Sequence, residues 1–198
     1  MKRWLKRGAI ATFIIVVAAF AVHKLHEDSD TYARPEDYAV YSAFLTQALI
    51  VDNEALHDAH HPFVILDHTV EPRGILPAQE LSAASVKMRD DLNRHNLRSL
   101  KFDRKFDIQS AYHLLDFEAK GYVPNSTAPL HLSPDEIKAL PNGDFVAFTR
   151  ITFNADSTLA LFYVEHQCGG LCGGGAFILM QKQAGQWKIL DQADTWMS

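Results

Sequence analysis

From Asp144 to the C-terminus the chain changes character, because helical spacing gives way there to the alternation of strands, in segments separated by turn-forming residues. Four strands are expected, over residues 145–153, 158–168, 176–183 and 186–191. Their connections are Asn154-Ala155-Asp156-Ser157, a glycine-rich loop and Ala184-Gly185. Connections this short permit only antiparallel neighbours. A meander of this kind leaves an apolar face that another layer must cover, and the residues before it carry helical rather than strand spacing. The expected fold class is α+β: an N-terminal membrane or signal helix, then helices packed on a C-terminal antiparallel β-meander.

The covering helices are read from two stripes. Pro35-Glu36-Asp37 suits a first helical turn, with Pro where no N–H is needed and acids at the positive end of the helix dipole. Behind it Tyr38, Tyr41, Phe44, Leu45, Ala48, Leu49 and Leu56 fall on one face. A second helix is expected from Pro77, with Leu81, Ala84, Ser85, Met88, Leu92 and His95 inward and Arg89, Asp90, Asp91 and Arg94 toward solvent. Between them Phe63-Val64-Ile65-Leu66 reads as a short buried strand. Ser133-Pro134-Asp135-Glu136 has the form of a capping box, opening a short helix that Pro141-Asn142-Gly143 ends. Residues 100–122 fit neither period.

The N-terminus directs the chain to a membrane. Lys2, Arg3, Lys6 and Arg7 precede an uncharged apolar run over residues 8–22, the arrangement of a basic n-region and an apolar h-region. As a helix that run reaches about 22 Å, short of a hydrocarbon core of about 30 Å unless its flanks snorkel. Two readings stand side by side: a signal peptide cleaved after Ala19-Phe20-Ala21, or an uncleaved anchor followed by a polar tether over residues 25–34. Either puts residues 35–198, a single domain, outside the cytoplasm in the cell envelope, with the N-terminus cytoplasmic. A core of sufficient size is available, since 47% of the chain is hydrophobic and 22% charged.

Charge narrows the partners. The whole chain is −5, but the first 24 residues hold five basic residues and no acids, so the remainder sets 14 basic against 24 acidic residues, a formal −10. Such a surface repels phosphate backbones, and no nucleic-acid partner is expected.

The segment Cys168-Gly169-Gly170-Leu171-Cys172-Gly173-Gly174-Gly175 holds both cysteines of the chain. In an oxidising compartment Cys168 and Cys172 are expected to close a disulfide, the glycines permitting the sharp curl. Thiol redox chemistry is an alternative, although the spacing is not Cys-x-x-Cys and no group that lowers a thiol pKa is evident. A zinc site with His166 would lack a fourth ligand, and an anion nest lacks the Lys-Ser/Thr of a phosphate loop.

Together with Phe148-Thr149-Arg150-Ile151-Thr152-Phe153-Asn154, Ala160-Leu161-Phe162-Tyr163-Val164 and Lys182-Gln183-Ala184-Gly185-Gln186-Trp187-Lys188-Ile189, this Cys-Gly block resembles the C-terminal part of a group of uncharacterised exported bacterial proteins. The likeness extends weakly to residues 41–49 and 63–69. It implies an exported bacterial protein and transfers no activity and no catalytic residue.

Of ten histidines, His57, His60, His61 and His68 lie close together, and His57 and His61 at i, i+4 are candidate metal ligands, with Asp58 or Asp67 as carboxylate. Pro62 follows at once, which makes this a poor platform. Asp90, Asp91 and Glu118 match paired acids no better than surface acids. Trp187 and Trp196 read as core and sheet-edge residues. No nucleophile elbow or metalloprotease motif is present. The expectation is a non-enzymatic envelope protein, with no cofactor, that attaches to the membrane through its N-terminal helix and binds an unidentified protein or small molecule. The alternatives are a metal-dependent hydrolase using residues 57–68 and a thiol redox protein at Cys168 and Cys172.

Overall fold

The computed structural model describes residues 31–50, 63–76, 80–95, 99–116, 145–167 and 173–197. Helix α1 spans Pro35–Phe44 and runs into a π-helical turn, Leu45–Ile50, and helix α2 spans Val86–His95. The strands are β1 (Phe63–Leu66), β2 (Tyr112–Leu115), β3 (Phe145–Phe148), β4 (Thr152–Phe153), β5 (Leu159–Gln167), β6 (Gly173–Gln183) and β7 (Gln186–Met197). They form one seven-stranded sheet in the order β2-β1-β3-β5-β6-β7, with β4 also paired to β5.

This corrects the expected fold class. The C-terminal meander is present, but β1 lies parallel to both β2 and β3, which makes the sheet mixed. Both faces are covered rather than one. Residues 160–164 of β5 and 176–180 of β6 are apolar without a break and all buried, so each strand has a water-avoiding surface on both sides. On one face Ala160, Phe162, Ala176, Ile178, Met180 and Trp187 meet Tyr38, Tyr41 and Phe44 of α1. On the other Leu161, Tyr163, Phe177, Leu179 and Ala193 meet Leu81, Ala84, Met88 and Leu92. A smaller cluster of Val64, Leu66, Leu115, Phe145 and Ala147 fills in beside β1 and β3.

The expected strand over residues 145–153 is broken into β3 and β4 by a bulge. Phe148 pairs with Val164 and Thr152 with Leu161, so three residues face two. Thr149 holds the break: its N–H donates to the Tyr163 carbonyl at 2.9 Å and its Oγ1 accepts the Tyr163 N–H at 2.8 Å. The displaced Thr149 carbonyl accepts the Tyr41 hydroxyl at 2.7 Å, which ties α1 to the sheet.

Helix α2 starts nearer the C-terminus than Pro77. Leu81 has φ of 50°, a left-handed conformation no helix continues through, and Ser85 Oγ caps the new start by accepting the Met88 N–H at 3.2 Å. Arg89, expected in solvent, is half-buried and donates to the carbonyls of Glu80, Leu81 and Ala84, holding the turn before its own helix. The two central residues of the β6–β7 hairpin, Ala184 and Gly185, both have positive φ (49° and 83°), as a tight two-residue turn requires.

Membrane attachment through an N-terminal helix is likewise corrected: among the described residues no helix is long and apolar enough to cross a membrane. The apolar run over residues 8–22 lies outside the described residues, as do the expected helix after Ser133 and the positions of Leu56 and Glu118.

Candidate functional site

Where β5 ends and β6 begins, the sheet face toward α1 is built of small residues. Gly174 and Ala176 on β6 and Ala48 in the π-helical turn leave room that larger side chains would fill, and a cavity of about 330 Å³ opens there. Phe44, Val164 and Ile178 form its apolar floor and wall, with Trp196 and Met197 at the end of β7. His166, Gln192 and Asp194 supply its polar groups. Alternation explains the grouping: Gln192 pairs with Ile178 and Asp194 with Ala176, so both polar side chains share the face that α1 covers.

The roof is fixed by an amide. Gln47 Nε2 donates to the carbonyls of Ala43, at 2.8 Å, and Trp187, at 3.0 Å, while its Oε1 accepts the Ile189 N–H at 3.3 Å. The side chain thereby satisfies backbone groups of edge strand β7 and pins the π-helical turn over the sheet. At the open, solvent-exposed side of the cavity Gln192 Nε2 donates to Asp194 Oδ1 at 2.6 Å.

Trp196 is held from the opposite side. Its Nε1–H donates to the Tyr163 hydroxyl at 2.8 Å, and the Arg73 guanidinium lies 5.8 Å from its ring centroid. Arg73 Nε also meets Glu165 Oε2 at 3.1 Å, a carboxylate whose side chain is 3% exposed. Thr195, the extra residue of a bulge opposite Gly175 and Ala176, donates from its Oγ1 to the Gly175 carbonyl at 2.8 Å. Burial pushes the Tyr163 phenol above its ordinary range, partly offset by its hydrogen bonds with Thr195 and Trp196.

The sequence-based candidates are distributed differently. Cys168 and Cys172, the expected disulfide, lie outside the described residues, and no disulfide occurs among the described ones. His57, His60 and His61 also lie outside. His68 is described, and its Nδ1 is 2.7 Å from Asp67 Oδ1. Among the described residues no three His, Cys, Asp or Glu side chains gather as metal ligands. Asp90 and Asp91 sit on α2 beside Arg94 and Lys87. Trp187 is buried in the core and Trp196 stands on the edge strand, as expected. Sequence reading considered His166 only as a partner of the cysteines and missed Gln192 and Asp194; the glycine run 173–175 was the available signal, since strand glycines mark places where something else approaches the backbone.

Comparison with family models, curated proteins and solved structures returns no match for this chain. The site is therefore defined by its own geometry: a concave, largely apolar cavity with a few converging polar groups, the general form of a small-molecule binding site.

Proposed function

We propose that this protein binds a small amphiphilic molecule in the cavity between α1 and the ends of β5, β6 and β7. One observation carries the reading. The cavity of about 330 Å³ is walled by apolar side chains and carries a polar pair, Gln192 and Asp194, at its β7 edge, with His166 across β6 on β5, which suits a ligand with an apolar body and a polar end. The hydrogen bonds of Gln47 to the Ala43 and Trp187 carbonyls and from the Ile189 N–H hold the roof over the sheet, which lowers the cost of ordering it around a ligand. Export to the cell envelope is part of the proposal. Its support is the basic and then apolar N-terminus that contains Ala19-Phe20-Ala21.

The test is titration of hexan-1-ol into the full chain, followed by tryptophan emission, against an Ala48→Phe variant whose new ring occupies the cavity. Saturable binding by the parent chain that the variant loses while it still melts cooperatively is the expected result. A response that does not saturate, or one the variant keeps in full, overturns the reading.

A further inference from the structure

We infer that the cavity selects ligands whose polar end is a protonated amine. This rests on the binding reading above and adds the sign of the ligand's charge. Among the described residues that line the cavity, Asp194 is the one acid and there is no Lys or Arg. Arg73, the cation that lies against Trp196, is already engaged with Glu165. A carboxylate or phosphate end would therefore enter beside a like charge with no cationic side chain to meet it, whereas an ammonium finds a carboxylate across from apolar walls.

The acceptor capacity of Asp194 adds to the argument. Gln192 Nε2 engages Oδ1 of this exposed side chain, and a carboxylate retains acceptor capacity beyond one hydrogen bond, so the group can still accept from a ligand N–H. The remaining polar lining residue, His166, lies on β5 opposite Gly174, across β6 from Asp194. The chain as a whole is acidic, at −5, so its long-range field favours approach of a cation over an anion. An apolar body fits against Phe44, Val164 and Ile178 while the amine reaches Asp194, which describes a primary alkyl or arylalkyl amine of modest size.

The experiment compares three probes of one chain length, hexylammonium, hexan-1-ol and hexanoate, titrated into the full chain at about pH 8, above the ordinary imidazole range. Hexylammonium is expected to bind about fivefold more tightly than the alcohol and hexanoate to bind most weakly, since an exposed carboxylate contributes up to about 1 kcal/mol. The ammonium-to-alcohol ratio should fall to about one in Asp194→Asn and shrink at about 0.5 M salt. If the three probes bind alike, or hexanoate binds best, or the ratio survives Asp194→Asn, the charge inference is overturned while the cavity reading stands on the alcohol. If none of the three binds, the cavity reading fails and this inference with it.

Discussion

The hydrogen bond from Trp196 Nε1 to the Tyr163 hydroxyl, 2.8 Å long, passes over Gly175, where there is space for it only because that residue has no side chain. A Cβ at Gly175 would overlap the Tyr163 hydroxyl and crowd Trp196 Nε1, and neither can withdraw easily: Tyr163 is fully buried and Trp196 lies across Gly173 as well. A rim residue of the cavity is thus positioned by a contact between two aromatic side chains and a bare backbone.

Gly175→Ala should consequently destabilise the fold by about 2–4 kcal/mol, within the range for overpacking plus a lost hydrogen bond at a buried site. Gly174→Ala is the control, since its Cβ would meet the Trp196 carbonyl at 3.4 Å, an ordinary contact. Chemical denaturation with tryptophan emission checks both. Equal losses for the two variants would show that the tyrosine–tryptophan contact is not what the glycine serves.

Tyr41 gives a prediction in pH. It is completely buried, and burial raises its phenol well above the ordinary value of 10.0. The unfolded chain releases this proton near pH 10 while the folded chain still holds it, so above that point the unfolded state binds fewer protons. Stability from this group is full below about pH 10 and declines as pH rises toward the folded value. Tyr41→Phe should lose about 1 kcal/mol at neutral pH, the hydrogen bond to the Thr149 carbonyl, and show a shallower alkaline decline than the parent. Tyr38 and Tyr163 are also raised, chiefly by burial, so the decline is reduced rather than abolished. An unchanged alkaline limb in the variant would remove Tyr41 from the account.

Some of this was legible and some was not, for different physical reasons. Tyr38, Tyr41 and Phe44 lie at helical spacing behind a proline, and the structure packs them together on β5. The Ala184-Gly185 turn announces itself through a two-residue separation between apolar runs. The buried second face of the sheet was also written in the sequence, in the unbroken apolar runs 160–164 and 176–180, although one-sided alternation is the reading that a meander invites.

The parallel pairing of β1 with β2 and β3 leaves no local trace. Ile65 meets Val146 across a long stretch of chain, and a strand of four residues has no periodicity that tells parallel from antiparallel neighbours. The start of α2 is similar, being decided by the Arg89 guanidinium reaching back to carbonyls of residues 81 and 84. The cavity was hardest to foresee, because it arises where Ala48, Gly174 and Ala176 converge from separate elements, and small residues signal nothing until the chain brings them together.

Gln47 predicts an edge effect. β7 is an outer strand, and the Gln47 amide satisfies the Trp187 carbonyl and the Ile189 N–H on it. Gln47→Ala should cost about 1–2 kcal/mol and speed hydrogen exchange at the Ile189 amide, which water would then reach. The same bare edge should increase self-association at high concentration, measured by sedimentation. Unaltered exchange at Ile189 would show that the side-chain amide does not protect this edge.

Arg73 separates a charge contribution from a packing one. Its guanidinium meets the buried Glu165 carboxylate and also covers Trp196, so Arg73→Ala removes both contacts. Arg73 itself is partly exposed, which screens the pair and holds the expected loss to about 1–3 kcal/mol. Glu165→Gln in the Arg73→Ala background distinguishes the causes, because an amide in that position needs no cation. If withdrawal of the counter-charge dominates, the double variant recovers at least half of the lost stability, as read from denaturant midpoints. If the double variant is no more stable than Arg73→Ala alone, the arginine acts mainly through its stacking on Trp196, and the rim of the cavity is the place where its loss will be felt.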